Sequence, residues 1–339
     1  MSYAMRDRDQ KILSFLETHG WSRAKRQTLA DDASFRRYDR LTLEGRTAVL
    51  MDAPPDKEDV RPFITIAAIL RELGLSAPEL YAQDPECGLL LLEDLGDETY
   101  TRVLATHPER EHTLYTLATD LLITLHSRFS QKLELPKYDD TCLHTEANLL
   151  LDWYLPAVTG KQATDAVRHD YEVLWHRLFQ FARVVPSTLV LRDYHVDNLM
   201  WLPQRPSIAA CGLLDFQDAV IGPVTYDLVS LFEDARRDVP TALARKGLDR
   251  YLKAFPNLDP NELYMSSAIL GAQRCAKILG IFTRLDKRDS KPDYLCHLPR
   301  VWRWLEADLA HPVLCELRAW FDRNLPPASR VIPERTTRE

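Results

Sequence analysis

The sequence of 339 residues lacks three features that are typical of membrane proteins, secreted proteins and nucleic-acid-binding proteins. No apolar run approaches the roughly 20 residues that a membrane helix needs, and the opening stretch, MSYAMRDRDQ, is charged where a secretion signal would become apolar. The longest basic clusters have two or three residues, and 50 acidic residues outnumber 43 basic ones. We therefore expect a cytoplasmic globular protein that binds neither membrane nor nucleic acid.

Closely spaced cysteines are also absent. The 6 cysteines are scattered between Cys87 and Cys315, without a CxxC pair or a compact set of cysteines and histidines. This spacing does not suit a zinc site or a disulfide framework. We expect small buried thiols in a reducing compartment.

Low-complexity linkers and internal repeats are absent as well, so the domain organisation is inferred from predicted secondary structure. Helices are predicted over 7–19 and 59–73. Strands are predicted for a hairpin around Gly45 and for ELYAQD and CGLLLLED. From Thr101 onward the short strands STLVL, NLMWL and CGLLDF interrupt helices predicted over 109–128, 144–155, 162–184, 227–237, 241–255, 261–286 and 298–323.

The residues that carry chemistry stand in two polar stretches beside apolar ones, LRDYHVDNLM and LLDFQD. They contain Asp193, Asn198 five positions later, and Asp215 17 positions after that. Phosphoryl transfer needs a carboxylate that accepts the proton of the attacking hydroxyl, and Mg²⁺ prefers hard oxygen ligands. We therefore predict Asp193 as the catalytic base and Asn198 and Asp215 as magnesium ligands at one nucleotide pocket. The alternative is a polar turn and a helix cap.

These stretches and LLLEDLGDETY resemble the aminoglycoside phosphotransferase and choline kinase superfamily. More narrowly, DDASFRRY, VLMDAPPDKEDVRPF and QRCAKILGIFTRLDKRDSKPDYL resemble the bacterial cell-wall recycling kinases that phosphorylate N-acetylmuramate and N-acetylglucosamine at the anomeric hydroxyl. The resemblance covers residues 10–300. It implies an α+β, protein-kinase-like fold of two lobes, with a β-rich nucleotide-binding lobe over 1–95 and a mostly helical acceptor lobe over 96–325. We expect the polar tail, 326–339, to be disordered.

The resemblance also implies an activity and its cofactors. The expected enzyme uses ATP and Mg²⁺ to phosphorylate a small hydroxylated molecule, most specifically the anomeric hydroxyl of an amino sugar. Backbone groups from Glu93 to Leu95 are expected to contact adenine, and the loop before SFRRY is expected to cover the phosphates. Two alternatives stay open: an aminoglycoside or choline-like acceptor, and a nucleotide-binding relative without activity.

Two departures from the family pattern concern the nucleotide. The third strand, TAVLMDAP, has Met51 where most kinases of this fold carry a lysine. Arg36 and Arg37 face opposite sides of their strand, so we expect one of them to supply the missing charge, with Lys57 a third candidate and a solvated strand the alternative. The loop ADDASF has no glycine to admit a phosphate close to the backbone, so small residues such as Ser34 must take that place.

The acceptor pocket is expected on helices of the second lobe, since the base must reach the reacting hydroxyl. Glu146, Trp153 and Tyr154 are spaced to share one helix face, where the acid would accept sugar hydroxyls and the rings would stack on the sugar. His195 lies in the catalytic loop, and Arg274 is placed to pair with the carboxylate of N-acetylmuramate. The alternatives are core aromatic residues, a solvated Glu146 and a surface ion pair for Arg274.

Two further polar residues are predicted to be structural. Asp227, in GPVTYDL, stands at a predicted helix start, where a carboxylate accepts hydrogen bonds from unsatisfied backbone N–H groups. His126, in LLITLHSR, is predicted to be a buried, hydrogen-bonded histidine. Neither residue is assigned a part in the chemistry.

Overall fold

The computed structural model describes residues 3–29, 35–130 and 134–334, with side chains from Asp7 onward. The strands within these residues are β1 (Lys25–Thr28), β2 (Arg37–Leu43), β3 (Arg46–Asp52), β4 (Leu80–Asp84), β5 (Leu89–Leu92), β6 (Ser187–Val190), β7 (Leu199–Trp201), β8 (Cys211–Leu213) and β9 (Val220–Pro223). The helices are α1 (Tyr3–Thr18), α2 (Arg61–Glu72), α3 (Tyr100–Thr106), α4 (Glu111–Arg128), α5 (Asp140–Leu149), α6 (Leu155–Thr159), α7 (Asp165–Ala182), α8 (Thr225–Phe232), α9 (Thr241–Ala254), α10 (Pro260–Asp289), α11 (Leu298–Asp308) and α12 (Cys315–Asn324).

The chain divides into two compact units. The first unit comprises Met1–Leu121 and Asp197–Asp218, and the second comprises Leu122–Val196 and Ala219–Glu339. The lobe boundary expected near residue 95 was based on the change from strands to helices rather than on compactness, and it stays a prediction.

A five-stranded antiparallel sheet with the order β1-β2-β3-β5-β4 forms the centre of the first unit. The predicted hairpin is β2 and β3, which turn at Glu44 and Gly45 with φ angles of 50° and 80°. Apolar residues of α1, including Ile12 and Phe15, pack against the sheet. The sequence KRQT did not predict β1, because all four residues of this edge strand are exposed and polar and give no apolar alternation.

Helix α2 agrees with its prediction in both position and amphipathic character. It begins with Pro62 in its first turn, where a missing N–H costs nothing, and it ends before Gly74, which has a φ of 80°. Its buried face consists of Phe63, Ile66, Ala67 and Leu70.

The second unit is built around α10, a 30-residue helix in contact with α5, α7, α8 and α11. Gly280 allows α10 to approach α5 closely, since a Cβ there would lie 2.3 Å from the backbone carbon of Leu149. The helix predicted over 144–155 is interrupted by a π-helical turn, Leu150–Tyr154. The helix predicted over 298–323 is likewise two helices, because Pro312 between them cannot donate a helical hydrogen bond.

The expected disorder of the tail does not extend to its first part. Pro327–Ser329 form a 3₁₀ turn, and Arg330 forms ion pairs with Glu306 at 2.7 Å and with Asp322 at 2.6 Å. These ion pairs, which sequence periodicity cannot reveal, hold this segment against α11 and α12. Residues 335–339 lie outside the described part of the chain.

Among the described residues, none of the helices combines the length and the apolar character needed to span a bilayer. Cys211 and Cys275 are buried as predicted, whereas Cys87 and Cys142 are partly buried and Cys296 and Cys315 are exposed.

Candidate active site

The two predicted magnesium ligands are neighbours in the first unit. Strands β7 and β8 are antiparallel with Leu199 opposite Leu213, so the residue before β7 lies level with the residue after β8. The N–H of Leu214 donates to the carbonyl of Asn198 at 2.9 Å, and the Asn198 amide lies 3.4 Å from Asp215 Oδ2. The hairpin register, rather than sequence proximity, brings Asn198 and Asp215 together.

Asp215 has an unusual backbone conformation. Its φ of 55° lies in the left-handed region, which costs a residue other than glycine on the order of 1 kcal/mol. The next residue, Phe216, is buried and stacks on Phe63 with ring centroids 4.9 Å apart. The Gln217 amide donates to Asp215 Oδ1 at 2.8 Å. The buried Phe216 ring fixes the backbone directly after Asp215. The strained turn therefore holds the Asp215 carboxylate in one direction.

The oxygen atoms around Asp215 fit a magnesium ion. The side-chain oxygen of Gln217 is buried beside Asp215 and has no hydrogen-bond partner among the described residues. A half-turn of the Asn198 amide would exchange its nitrogen for its oxygen, since the two ends have the same shape. Carboxylate and amide oxygens are the hard ligands that Mg²⁺ takes. The residues present therefore suit the ion that the sequence predicted.

Among the cations considered for the missing lysine, Arg36 lies next to Asp215. Its guanidinium Nη2 is 3.7 Å from Asp215 Oδ1, and its side chain is 11% exposed. Burial opposes the charge on Arg36, but Tyr38 and Asp215 outweigh it and raise its pKa. Arg37 is exposed, and Lys57 lies over the ring of Phe35 at 5.9 Å.

The other residues expected to contact the nucleotide, Glu93, Leu95 and Ser34, differ in their surroundings. The N–H of Glu93 donates to the carbonyl of Glu79 at 2.8 Å, and its carboxylate is paired with Arg205. An adenine contact by Glu93 would therefore fall to its carbonyl oxygen. Leu95 is partly buried, and Ser34 lies outside the described residues.

The predicted catalytic base lies in the second unit, in the loop that follows β6. The residue before it, Arg192, has a φ of 70°. Both oxygens of the Asp227 carboxylate accept from this loop, from the N–H of Leu191 at 2.7 Å and of Arg192 at 2.9 Å. Burial raises the pKa of Asp227 to about 7. Our expectation that Asp227 caps its own helix is corrected, because α8 presents this carboxylate to the N–H groups just before Asp193.

The electrostatics around Asp193 favour a carboxylate that can take a proton. Partial burial of this side chain raises its pKa, but cations led by Lys277, with Arg192 and Arg274, outweigh burial and lower the pKa below its usual value. Asp193 is therefore ionised at neutral pH, as a general base must be.

Glu146 is not available to a sugar in the way that we expected. Its oxygen Oε1 accepts from Arg192 and from Lys277 Nζ at 2.9 Å. Oxygen Oε2 accepts from the Tyr138 hydroxyl and from Gln273 Nε2 at 3.2 Å. A carboxylate has about four acceptor positions, so protein donors fill them. Glu146 holds two of the cations that act on Asp193, a function that its position beside two aromatic residues did not suggest.

The two aromatic candidates also differ from the predicted sugar surface. Tyr154 is fully buried; its hydroxyl accepts from the Trp302 indole and donates to the Val331 carbonyl, both at 2.8 Å. Trp153 is half-buried. The π-helical turn changes the residue spacing, so the predicted alignment with Glu146 on one helix face does not apply. Tyr154 is a core residue.

His195 and Arg274 lie beside the catalytic loop. His195 is buried, with Nε2 3.3 Å from a guanidinium nitrogen of Arg236. Arg274 is buried on α10 and donates to the carbonyl of Glu233 at 3.2 Å. Both side chains lie close enough to Asp193 to affect its pKa, so the second unit brings the predicted base and these two acceptor candidates together. Burial, followed by Arg236, lowers the pKa of His195 itself.

Comparison with known proteins shows the family of the chain. A model of the phosphotransferase enzyme family matches residues 25–264. The chain belongs to this family. It is 35% identical to an N-acetylmuramate/N-acetylglucosamine kinase of Caulobacter vibrioides, over 96% of this chain and 98% of that one. It is 39% identical to a kinase of the same name from Pseudomonas aeruginosa, over 91% and 92% of the two chains.

Solved structures with the same fold confirm the predicted fold class. A choline/ethanolamine kinase family protein from Mesorhizobium loti has a TM-score of 0.60 at 13% identity, with 92% of this chain and 98% of that chain covered. Choline kinase LicA from Streptococcus pneumoniae has a TM-score of 0.59 at 15% identity, with 91% and 100% covered. The α+β, protein-kinase-like prediction and the resemblance to aminoglycoside phosphotransferases and choline kinases are both correct.

Proposed function

We propose that this phosphotransferase is an ATP-dependent kinase that phosphorylates N-acetylmuramate and N-acetylglucosamine at the anomeric hydroxyl. The observation that carries the proposal is the identity of 34–39% with four kinases named for these two sugars, which extends over 81–96% of the chain. A cytoplasmic location belongs to the proposal, because the reaction consumes ATP.

Each half of the proposed chemistry has its own residues. Asp193 accepts the proton of the sugar hydroxyl, a function that its ionised state supports. Asn198 and Asp215 hold Mg²⁺, which when bound neutralises charge on the nucleotide phosphates. Arg36 takes the place of the lysine that is replaced by Met51, since its guanidinium lies beside Asp215.

The other nucleotide contacts follow the family resemblance. We assign the adenine contacts to the carbonyl of Glu93 and the backbone of Leu95, and a phosphate contact to Ser34. Arg37 has no part in this proposal, because its side chain is exposed.

On the acceptor side we assign Trp153, His195 and Arg274. The lactyl group of N-acetylmuramate carries a carboxylate that N-acetylglucosamine lacks, and a buried guanidinium beside the base suits that carboxylate. Arg274→Ala should therefore lower kcat/KM for N-acetylmuramate about tenfold more than for N-acetylglucosamine. An unchanged ratio between the two sugars would remove Arg274 from the acceptor site.

An acceptor panel tests the proposed function. The protein is incubated with Mg-ATP and, separately, N-acetylmuramate, N-acetylglucosamine, choline and an aminoglycoside, while release of ADP is followed. We expect ADP release with the two amino sugars. ADP release with choline or the aminoglycoside, but with neither amino sugar, would show that the proposed acceptor class is wrong. If the protein bound ATP but released no ADP with any acceptor, it would be a nucleotide-binding relative without activity.

A further inference from the structure

A pair of acids lies where the end of α8 meets α10 and α11. Glu233 caps α8, Asp308 is the last residue of α11, and Cys275 stands on α10. One carboxylate oxygen of each acid and the Cys275 sulfur lie within 4.8 Å of one another. Asp308 is 9% exposed, Cys275 is 2% exposed and Glu233 is partly buried. Three groups that become negative on deprotonation therefore share one poorly solvated space.

Two oxygens of this pair lack a donor. Glu233 Oε2 and Asp308 Oδ2 are buried and have no hydrogen-bond partner among the described residues. Both atoms crowd against Gly271 of α10, where a Cβ would lie 2.6 Å from the Glu233 oxygen and 2.5 Å from the Asp308 oxygen. Any other side chain at Gly271 would displace a carboxyl group, so this glycine makes the room that the two oxygens occupy.

Two ionised carboxylates in this space would repel each other, and neither could donate a hydrogen bond to the other. We propose that Glu233 and Asp308 share one proton and form an acid–carboxylate pair that joins α8 to α11 across α10. The protonated carboxyl group donates to the ionised one, so that both oxygens gain a partner. Arg274 balances the remaining negative charge from α10, where it donates to the Glu233 carbonyl at 3.2 Å.

The groups that face the pair favour a proton over a divalent metal ion. Burial raises the pKa of Glu233 to about 7, although Arg274 opposes this shift. Burial, and then Glu233, raise the pKa of Asp308 well above its usual value. Burial also raises the pKa of Cys275, so its thiol keeps its proton. A divalent ion would have to displace these protons beside the cation of Arg274, which repels it.

The shared proton makes stability depend on pH. In the unfolded chain both acids lose their protons near pH 4, whereas the folded pair keeps a proton to higher pH. The stability that this proton supplies is therefore fully present below the unfolded pKa values and is lost as pH rises through the folded ones. For each proton that the folded state binds and the unfolded state does not, the unfolding equilibrium constant increases about tenfold per unit rise in pH. Asp227, with its raised pKa, acts in the same direction.

Urea unfolding between pH 6.5 and 9 tests the proposal on wild type, Asp308→Asn and Glu233→Gln. In either variant an amide donates to the remaining carboxylate at every pH. As pH rises, the unfolding equilibrium constant should increase less steeply in each variant than in wild type. The factor of increase per pH unit should be smaller by up to about tenfold. The contribution of Asp227 cancels in this comparison. Parallel curves for all three proteins would overturn the shared proton.

Two measurements distinguish a proton from a metal ion. The infrared carbonyl stretch of a protonated carboxylic acid should be present in wild type at pH 8, persist in Asp227→Asn and disappear in Asp308→Asn. If Asp308→Asn does not fold, Glu233→Gln and the wild-type spectrum decide the question. Stoichiometric metal that survives dialysis against EDTA would contradict the proposal and assign a metal site instead.

Discussion

Glu146 in the second unit and Asp215 in the first are both acids placed beside cations, but the protein treats them differently. Glu146 is 7% exposed, and four donors from the protein fill its acceptor positions. Asp215 has a side chain that is 33% exposed, a strained backbone, and amide donors at 2.8 and 3.4 Å. An acid whose acceptor positions are filled organises the protein around it, whereas a partly exposed acid with a long amide contact suits an incoming ion.

The largest effect is expected at the base that Glu146 supports indirectly. Asp193→Ala should lower kcat by about 10²–10⁴, the usual contribution of a positioned general base, while ATP binding measured by calorimetry persists. Asp197→Asn is the matched control. Asp197 is an acid in the same loop, but its carboxylate accepts a hydrogen bond from the Thr101 hydroxyl. Near-normal turnover in Asp193→Ala would refute its assignment.

Glu146→Gln should affect stability rather than the metal. The substitution removes the charge that neutralises Arg192 and Lys277 in a buried place, so we expect the free energy of unfolding to fall by about 3–5 kcal/mol. The concentration of Mg²⁺ at half-maximal activity should stay the same. Chemical denaturation and a Mg²⁺ titration measure the two quantities, and an unchanged free energy of unfolding would show that Glu146 is not the organising acid.

Asp215→Asn should give the opposite result. Loss of a carboxylate ligand should raise the Mg²⁺ concentration at half-maximal activity by about 10–100-fold, since even indirect partners of a metal contribute that much. The free energy of unfolding should change by less than about 1 kcal/mol, because the side chain is partly exposed. If Asp215→Asn lost stability as Glu146→Gln does, the contrast between the two acids would be wrong.

The smallest effect is expected from the cation beside Asp215. Arg36→Ala should raise the KM for ATP about tenfold, which corresponds to one charge-assisted hydrogen bond. Arg37→Ala, the adjacent and exposed control, should change the KM by less than about twofold. Equal effects of the two substitutions would mean that neither arginine replaces the lysine.

The same contrast shows what the sequence was able to predict. The segments containing Asp193, Asn198 and Asp215 were recognisable because motifs of this length combine chemistry with strand-flanked polar residues. Residue types and hydrophobic periodicity likewise predicted the β2–β3 hairpin, α2 and the hydrogen bond of His126, which is only partly buried and whose Nδ1 lies 2.7 Å from the Tyr251 hydroxyl.

The sequence could not predict whether protein donors fill the acceptor positions of a given carboxylate. Glu146 and Asp215 are both acids close to apolar residues, and the donors that distinguish them come from segments up to 131 positions away, such as Lys277. The clamp by Asp227 was missed for the same reason, since its carboxylate reaches N–H groups 35 and 36 positions earlier. A π-helical turn also altered the spacing that had placed Tyr154 beside a sugar.

The position of the transferred phosphate tests the central claim most directly. Wild-type protein is incubated with Mg-ATP and N-acetylmuramate, and the product is examined by phosphorus and proton NMR, with Asp193→Ala in parallel. We predict a phosphate coupled to the anomeric proton in the wild-type reaction, formed at least about 100-fold more slowly by Asp193→Ala. A phosphate at another hydroxyl, or an unphosphorylated sugar, would contradict the account.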